Sequence, residues 1–267
     1  MPYLLNTPDN QREMLKAIGV SSLDELFEMI PADLRLNRDL NLPPAMKEIE
    51  LTRHMSELAA KNVSAEQRVC FLGGGSYDHF VPAVVDDLAS RGEFYTSYTP
   101  YQPEASQGNL QALFEYQTLI SELTEMDVAN ASLYDGGSGA VEAVFMAMAA
   151  TRREGRVVTT RSVHPEYREI LHTYVHNQGV ELVTVDTPSG AAYVDDLAAQ
   201  VDDKTACVLL QHPNFFGCLE EVEQLAEVAH NAGALLVVVV DPISLGLLKR
   251  PGQYGADIVV AEGQGLG

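Results

Sequence analysis

The sequence predicts an α/β domain built on a largely parallel sheet and preceded by a helical segment. Three observations predict it. Short, uniformly apolar runs recur at residues 157–160, 181–185, 206–210, 235–240 and 258–261. Helical patterns separate them, at 165–177, after Val194 and at 219–231. Strands without polar alternation are buried on both faces, the condition of parallel strands covered by helices, and such sheets bind ligands at the carboxyl ends of their strands.

Residues 1–67 read as a helical arm. Ser22, Leu23, Asp24 and Glu25 have capping-box spacing ahead of LFEMI, and Pro31 limits that helix to about two turns. Residues 46–62 carry apolar side chains at helical spacing. From residue 68 the pattern changes to glycine-punctuated apolar runs, beginning with RVCFLGGGSYDHF, and no repeat or linker interrupts it, so 68–267 reads as one domain. Tyr95, Tyr98 and Tyr101 recur every third residue, while Pro100 and Pro103 forbid a regular helix or central strand. Such a stiff aromatic loop suits presentation of side chains to a ligand or partner; a packed loop is the alternative. After 258–261 come Gly263, Gln264, Gly265 and Leu266 without a closing helix, so a small C-terminal domain is expected beyond Gly267.

With 46% hydrophobic residues in 267, the chain can fill a sizeable core. A formal charge of -21 opposes binding to nucleic acid or an anionic membrane, because both need Lys and Arg against phosphate. Cys70, Cys207 and Cys218 are odd in number and lack CxxC spacing, which suggests reduced thiols rather than a disulfide framework or zinc site. The first residues show no basic region followed by an apolar run, and no segment approaches ~20 continuous apolar residues. The expected location is the cytoplasm.

Several segments can carry chemistry. Gly136, Gly137, Ser138 and Gly139 stand ahead of a helix expected to begin near Ala140, either as a phosphate cradle of backbone N–H groups or as an ordinary glycine-rich helix start. The spacing matches neither GxGxxG nor GxxxxGK[ST]. His164 follows the 157–160 strand, where it can contact a ligand or act structurally. His172 and His176 share a helical face but have no third metal ligand nearby, so no metal is expected. Gln211 and Asn214 are expected in the loop after 206–210, as ligand contacts or, for Asn214 with Gly217, as turn residues. Asp241 ends the apolar run 235–240, where a buried carboxylate needs a partner; a turn cap before Pro242 is the alternative. Taken together, the glycine segment, strand-end His and strand-end Asp follow the chain order of a pyridoxal phosphate (PLP) site.

The segments TSYTPYQPEASQG, NASLYDGGSGAVEA, QHPNFFG and DPISLGLLKRPGQYGADIVVAEGQGLG resemble the P-protein family of the glycine cleavage system, and within it subunit 1 of the two-subunit bacterial form. The resemblance implies a fold type I, aminotransferase-like PLP domain and an α2β2 assembly with subunit 2. It implies decarboxylation of glycine, with transfer of the aminomethyl group to the lipoyl group of H-protein. It places the Schiff-base Lys, and hence covalent PLP, in subunit 2. In this chain it makes His164 a relic of the ring-stacking residue, Asp241 of the pyridine partner, and Gly136, Gly137, Ser138, Gly139 and Asn214 of a degenerate pocket. Tyr95, Tyr98, Thr99, Pro100, Tyr101 and Gln102 match the segment facing the partner's cavity.

The lysines agree with that division. They are Lys16, Lys47, Lys61, Lys204 and Lys249; only Lys249 follows Asp241, eight positions later and before the 258–261 run. A Schiff-base Lys is expected after that run, near 264–267, where none stands. Two other readings remain: a purely structural or regulatory partner, and an autonomous PLP lyase or aminotransferase whose Lys lies beyond residue 267.

Overall fold

The computed structural model describes residues 5–36 and 38–267, so part of the leader reading, over residues 1–4, lies outside the described residues. The chain divides into two compact units, Met1–Val69 and Cys70–Gly267.

The first unit contains α1 (Pro8–Ile18) and α2 (Glu48–Ala59). Thr7 caps α1, exchanging hydrogen bonds with Asn10, and Gly19 ends it at φ 89°. Neither helix buries a residue, and Ile49, Met55 and Leu58 of α2 stand exposed. The two-turn helix expected after Ser22 is shorter, a 3-10 turn over Asp24–Phe27. Its Ser22 cap is a weak contact, 3.4 Å from the Glu25 amide, and no buried face supports extension.

The second unit opens with α3 (Ala83–Ala89), α4 (Gly92–Tyr95) and α5 (Gln107–Thr124). The segment 68–80, apolar in composition, forms no strand. The eighteen-residue α5 has no counterpart in the expected elements: it starts just beyond the proline loop, and only Thr124 in it is buried.

Next come α6 (Gly136–Thr151), β1 (Arg156–Thr160), α7 (Pro165–Val175), β2 (Glu181–Val185), α8 (Val194–Ala198), β3 (Thr205–His212), α9 (Val222–Asn231), β4 (Leu235–Val240) and β5 (Ile258–Ala261). The strands form one parallel sheet in the order β2-β1-β3-β4-β5. Alternate residues supply two cores. Val158, Val208, Leu210, Leu236 and Val238 pack with Leu197 of α8 and Leu225 and Ala229 of α9. Val157, Leu209, Val237 and Val239 pack with Ala140, Val144 and Ala147 of α6 and Leu171 of α7. Helices on both faces explain why the strands are continuously apolar.

Three boundaries near the carboxyl edge of the sheet differ from expectation. α6 begins at Gly136, not near Ala140, because Asp135 caps it. β3 extends to His212, which places Gln211 in the sheet rather than in the following loop. α9 starts at Val222, since Glu220 turns inward before the helix forms.

Candidate functional site

The strand order reverses direction between β1 and β3, and the connections leaving their carboxyl ends diverge there, making the crevice in which open α/β sheets hold ligands. In this chain the crevice holds a buried carboxylate. Glu220 accepts from Ser162 Oγ at 2.7 Å, Asn214 Nδ2 at 2.7 Å and the Ala192 amide at 2.8 Å. Its own amide donates to His212 Nδ1 at 3.1 Å, and Thr160 extends the network through Ser162 at 2.8 Å. Among the described residues no cation pairs with Glu220, so the charge is held by neutral donors. Burial holds the His212 imidazole below its ordinary range, opposed by the nearby Glu220 charge.

Asn214 has no polar capacity left for a ligand. Its Nδ2 donates to Gly190 O and Glu220, both at 2.7 Å, while Oδ1 accepts from the amides of Phe216 at 3.0 Å and Cys218 at 3.1 Å. Gly217 takes φ 77° in this turn.

His164 lies between two aromatic rings. Tyr167 stacks on it with centroids 4.8 Å apart and planes at 24°, and Phe215 meets it edge-on at 4.9 Å. As the α7 N-cap, its Nδ1 accepts from the Glu166 amide at 3.2 Å. The proton is therefore assigned to Nε2, 3.2 Å from the carbonyl of Gly74. Gln211 Oε1 accepts from the His164 amide at 2.8 Å, so the β3 end fixes the start of α7. Gly75, at φ 90°, passes so close that a Cβ would lie 3.0 Å from His164 Nε2.

The glycine segment forms the first turn of α6, and its N–H groups face carboxylates of the chain itself. Gly136 N donates to Glu262 Oε1 at 2.6 Å, and Ser138 N to Asp135 Oδ1 at 2.6 Å. The second contact holds the Asp135 carboxyl below its usual range. Tyr167 OH donates to the same Glu262 oxygen at 3.0 Å; burial first, then the Glu262 charge, pushes its phenol above the ordinary range and keeps it a donor. A Cβ on Gly136 would lie 2.1 Å from Tyr167 OH, and one on Gly137 would lie 2.5 Å from Ile170 Cδ1. The glycines thus admit α7 and Glu262, and a phosphate placed here meets two carboxylates without a paired cation among the described residues. The residues present do not fit the phosphate of PLP.

Asp241 is exposed, not buried at the strand end as the apolar run suggests. Its Oδ1 accepts from the Ile243 amide at 3.1 Å, capping a 3-10 turn over Pro242–Gly246, so the carboxylate keeps water as a partner. Lys249 pairs with Glu223 of α9, and Lys204 precedes β3, at the opposite edge of the sheet. The rings of His172 and His176 lie 5.5 Å apart and tilted by 30°, and no group of three metal-ligating side chains occurs among the described residues.

Tyr95 closes α4, and residues 96–106 are irregular. The rings of Tyr95, Tyr98 and Tyr101 are exposed, at 81%, 87% and 85%. Thr99 O accepts from the Tyr101 amide at 2.8 Å across Pro100, and Gln102 O caps the following turn, leaving the Gln102 side chain exposed. Among the described residues no helix is long and apolar enough to cross a membrane.

A five-stranded parallel sheet with helices on both faces, with Glu220, Tyr167 and Glu262 hydrogen-bonded within the chain beyond the ends of its strands, defines an open α/β chain. The chain belongs to the glycine cleavage system P-protein family, whose pattern matches residues 1–267. It is 53% identical over 267 residues to the probable glycine dehydrogenase (decarboxylating) subunit 1 of Desulforamulus reducens, and 54% identical to the protein of that name from Carboxydothermus hydrogenoformans. Each match covers 100% of this chain and 60% of the relative, so the chain spans 60% of their length. A crystal structure of glycine decarboxylase (P-protein) of the glycine cleavage system, in inhibitor-bound form, is 46% identical, with a TM-score of 0.86; the match covers 100% of this chain and 59% of that one.

Sequence reasoning missed Glu220, Tyr167 and Glu262. Tyr167 stands three residues after His164 on a helix start, and Glu262 directly follows an apolar strand, so both carried a local signal. Glu220 follows Asn214, one of its donors, by six residues, but its other two donors, Ala192 and Ser162, lie 28 and 58 residues away, which hid its buried role.

Proposed function

We propose that this chain belongs to the non-Schiff-base subunit of glycine dehydrogenase (aminomethyl-transferring, decarboxylating), acting in the cytoplasm with subunit 2 in an α2β2 assembly. The pair decarboxylates glycine and passes the aminomethyl group to the lipoyl group of H-protein. PLP, held covalently by subunit 2, supplies the electron sink for decarboxylation. The observation carrying this reading is that Lys249, which follows Asp241, is held in an exposed ion pair with Glu223, and that no Lys stands at 258–267, where a Schiff-base Lys is expected.

This chain's contribution is the segment 95–102. Its exposed hydroxyls and the Gln102 amide are available to orient a carboxylate or the polar end of a lipoyl arm in the partner's cavity, and the prolines limit the entropy lost when they do so. Family membership and the names carried by the relatives support the reading.

The test is reconstitution. The protein carrying this chain, mixed with subunit 2, PLP and lipoylated H-protein, is expected to release carbon dioxide from glycine, while alone it shows no turnover and no imine absorbance. Tyr98→Phe and Gln102→Ala are expected to lower kcat/KM without preventing assembly. An imine that borohydride fixes to a Lys of this chain overturns the assignment. Wild-type rates after substitution throughout 95–102 make the chain a structural partner instead.

A further inference from the structure

At the start of α6 two amides of the glycine segment, those of Gly136 and Ser138, are paired with carboxylates of the chain itself. Glu262 Oε1 receives Gly136 N at 2.6 Å and Tyr167 OH at 3.0 Å, a carboxylate set on a helix N-terminus where a phosphate oxygen would otherwise sit. Asp135 takes the Ser138 amide at 2.6 Å, so a second negative charge faces the same end of the helix. The Tyr167 ring in turn covers the face of His164 at 4.8 Å and 24°, the arrangement an aromatic cofactor ring would need. Ring, hydroxyl and carboxylate are joined to one another, since Tyr167 both stacks on His164 and donates to Glu262. The glycines are shaped to this filling: a Cβ on Gly136 would fall 2.1 Å from Tyr167 OH and 2.5 Å from Glu262 Oε1.

We propose that Tyr167 and Glu262 form a built-in stand-in for a cofactor, the ring of Tyr167 lying against His164 and the carboxylate of Glu262 replacing phosphate at Gly136, so that this cradle excludes phosphate and phosphorylated pyridoxal. The proposal rests on the reading that the working cofactor belongs to another subunit, and it adds how this chain keeps its own cradle closed. An incoming dianion must displace Glu262 from a dipole-stabilised site and sit beside Asp135, so like charge opposes it at every step. The same contacts hold β5, α6 and α7 together at the carboxyl edge, because Glu262 follows β5, Gly136 starts α6 and Tyr167 lies in the first turn of α7.

The test reads binding on the protein carrying this chain, without subunit 2 and without turnover, so loss of glycine decarboxylation and failure of this proposal are separate results. Inorganic phosphate and PLP are titrated into wild type, Glu262→Ala and Glu262→Gln by calorimetry, with chloride at matched ionic strength as control. Wild type is expected to bind neither probe. Glu262→Ala, which frees Gly136 N and Tyr167 OH, is expected to bind phosphate at least about tenfold more tightly than wild type. Glu262→Gln, which removes the charge and keeps an acceptor, is expected to fall between them and serves if Glu262→Ala fails to fold. Equal behaviour of wild type and the folded variants, whether all bind or none does, overturns the proposal.

Discussion

Ser162 Oγ donates to Glu220 Oε1 at 2.7 Å, tying the turn after β1 to the residues that precede α9. With Asn214 and the Ala192 amide on the same carboxylate, Glu220 holds three loops at the carboxyl edge of the sheet. Replacing it by Ala leaves three donors buried without a partner, and the expected loss is about 3 kcal/mol or more. Glu220→Gln keeps one acceptor but turns an NH2 group toward a donor, so about 1–2 kcal/mol is expected. Urea unfolding checks the order; a cost for Glu220→Ala below that of Glu220→Gln contradicts the network.

Gly252 is expected to be intolerant of a side chain. A Cβ there would lie 1.9 Å from the carbonyl oxygen of Glu125, the left-handed residue that ends α5. The neighbouring contacts from Arg250 Nη1 and Gln253 Nε2 to Glu125 Oε1, at 3.0 Å and 2.8 Å, resist retreat of that residue. Gly252→Ala should therefore lower stability by about 2 kcal/mol through overpacking. Gly246, with nothing within 4 Å of a Cβ, is the control and is expected to accept Ala with little change in thermal unfolding.

The strands of the parallel sheet were legible because their chemistry is local. A run such as 235–240 is apolar at every position, and both faces are in fact covered, by α6 on one side and α9 on the other. The helix α5 was not legible for the opposite reason: Leu110, Ile120 and Leu123 turn inward only as half-buried residues, while Phe114 and Leu119 are exposed, so apolar side chains on both faces blur its stripe. At the candidate site the sequence marked places rather than partners. Gly136 and His164 stood out in the sequence as a phosphate and a ring contact, but what they touch, Glu262 and Tyr167, is set by the meeting of β5, α6 and α7. Asp241 shows the limit most clearly, since the same Asp-Pro suits a buried ligand contact and an exposed turn cap, and only tertiary burial separates them.

Thiol reactivity is expected to split by burial. Cys207 lies within β3 at 0% exposure, and burial pushes its thiol up to about 12, so no appreciable thiolate forms near neutral pH. Cys70 is exposed and Cys218 partly so. Iodoacetamide with mass analysis of tryptic peptides should label Cys70 first and Cys207 only after unfolding. Labelling of Cys207 at a rate matching Cys70 in the folded protein contradicts the buried assignment.

Stability is expected to fall on mild acidification through His212. Its folded pKa is depressed, chiefly by burial, below the ordinary 6.5, so between the folded value and 6.5 the unfolded chain binds more protons than the folded one. The contribution is therefore present above about pH 6.5 and is lost as pH falls toward the folded pKa, with a slope of at most about 1.4 kcal/mol per pH unit. Protonation also removes the Nδ1 acceptor that the Glu220 amide uses, which ties acid sensitivity to the same network that binds Ser162 and Asn214. His212→Asn offers an acceptor to that amide but does not titrate. The variant loses the edge contact with Tyr254, so its stability at pH 7 is lower, yet its urea midpoint should change less than that of wild type between pH 7 and pH 5. Equal slopes in the two proteins would assign the acid sensitivity to other groups.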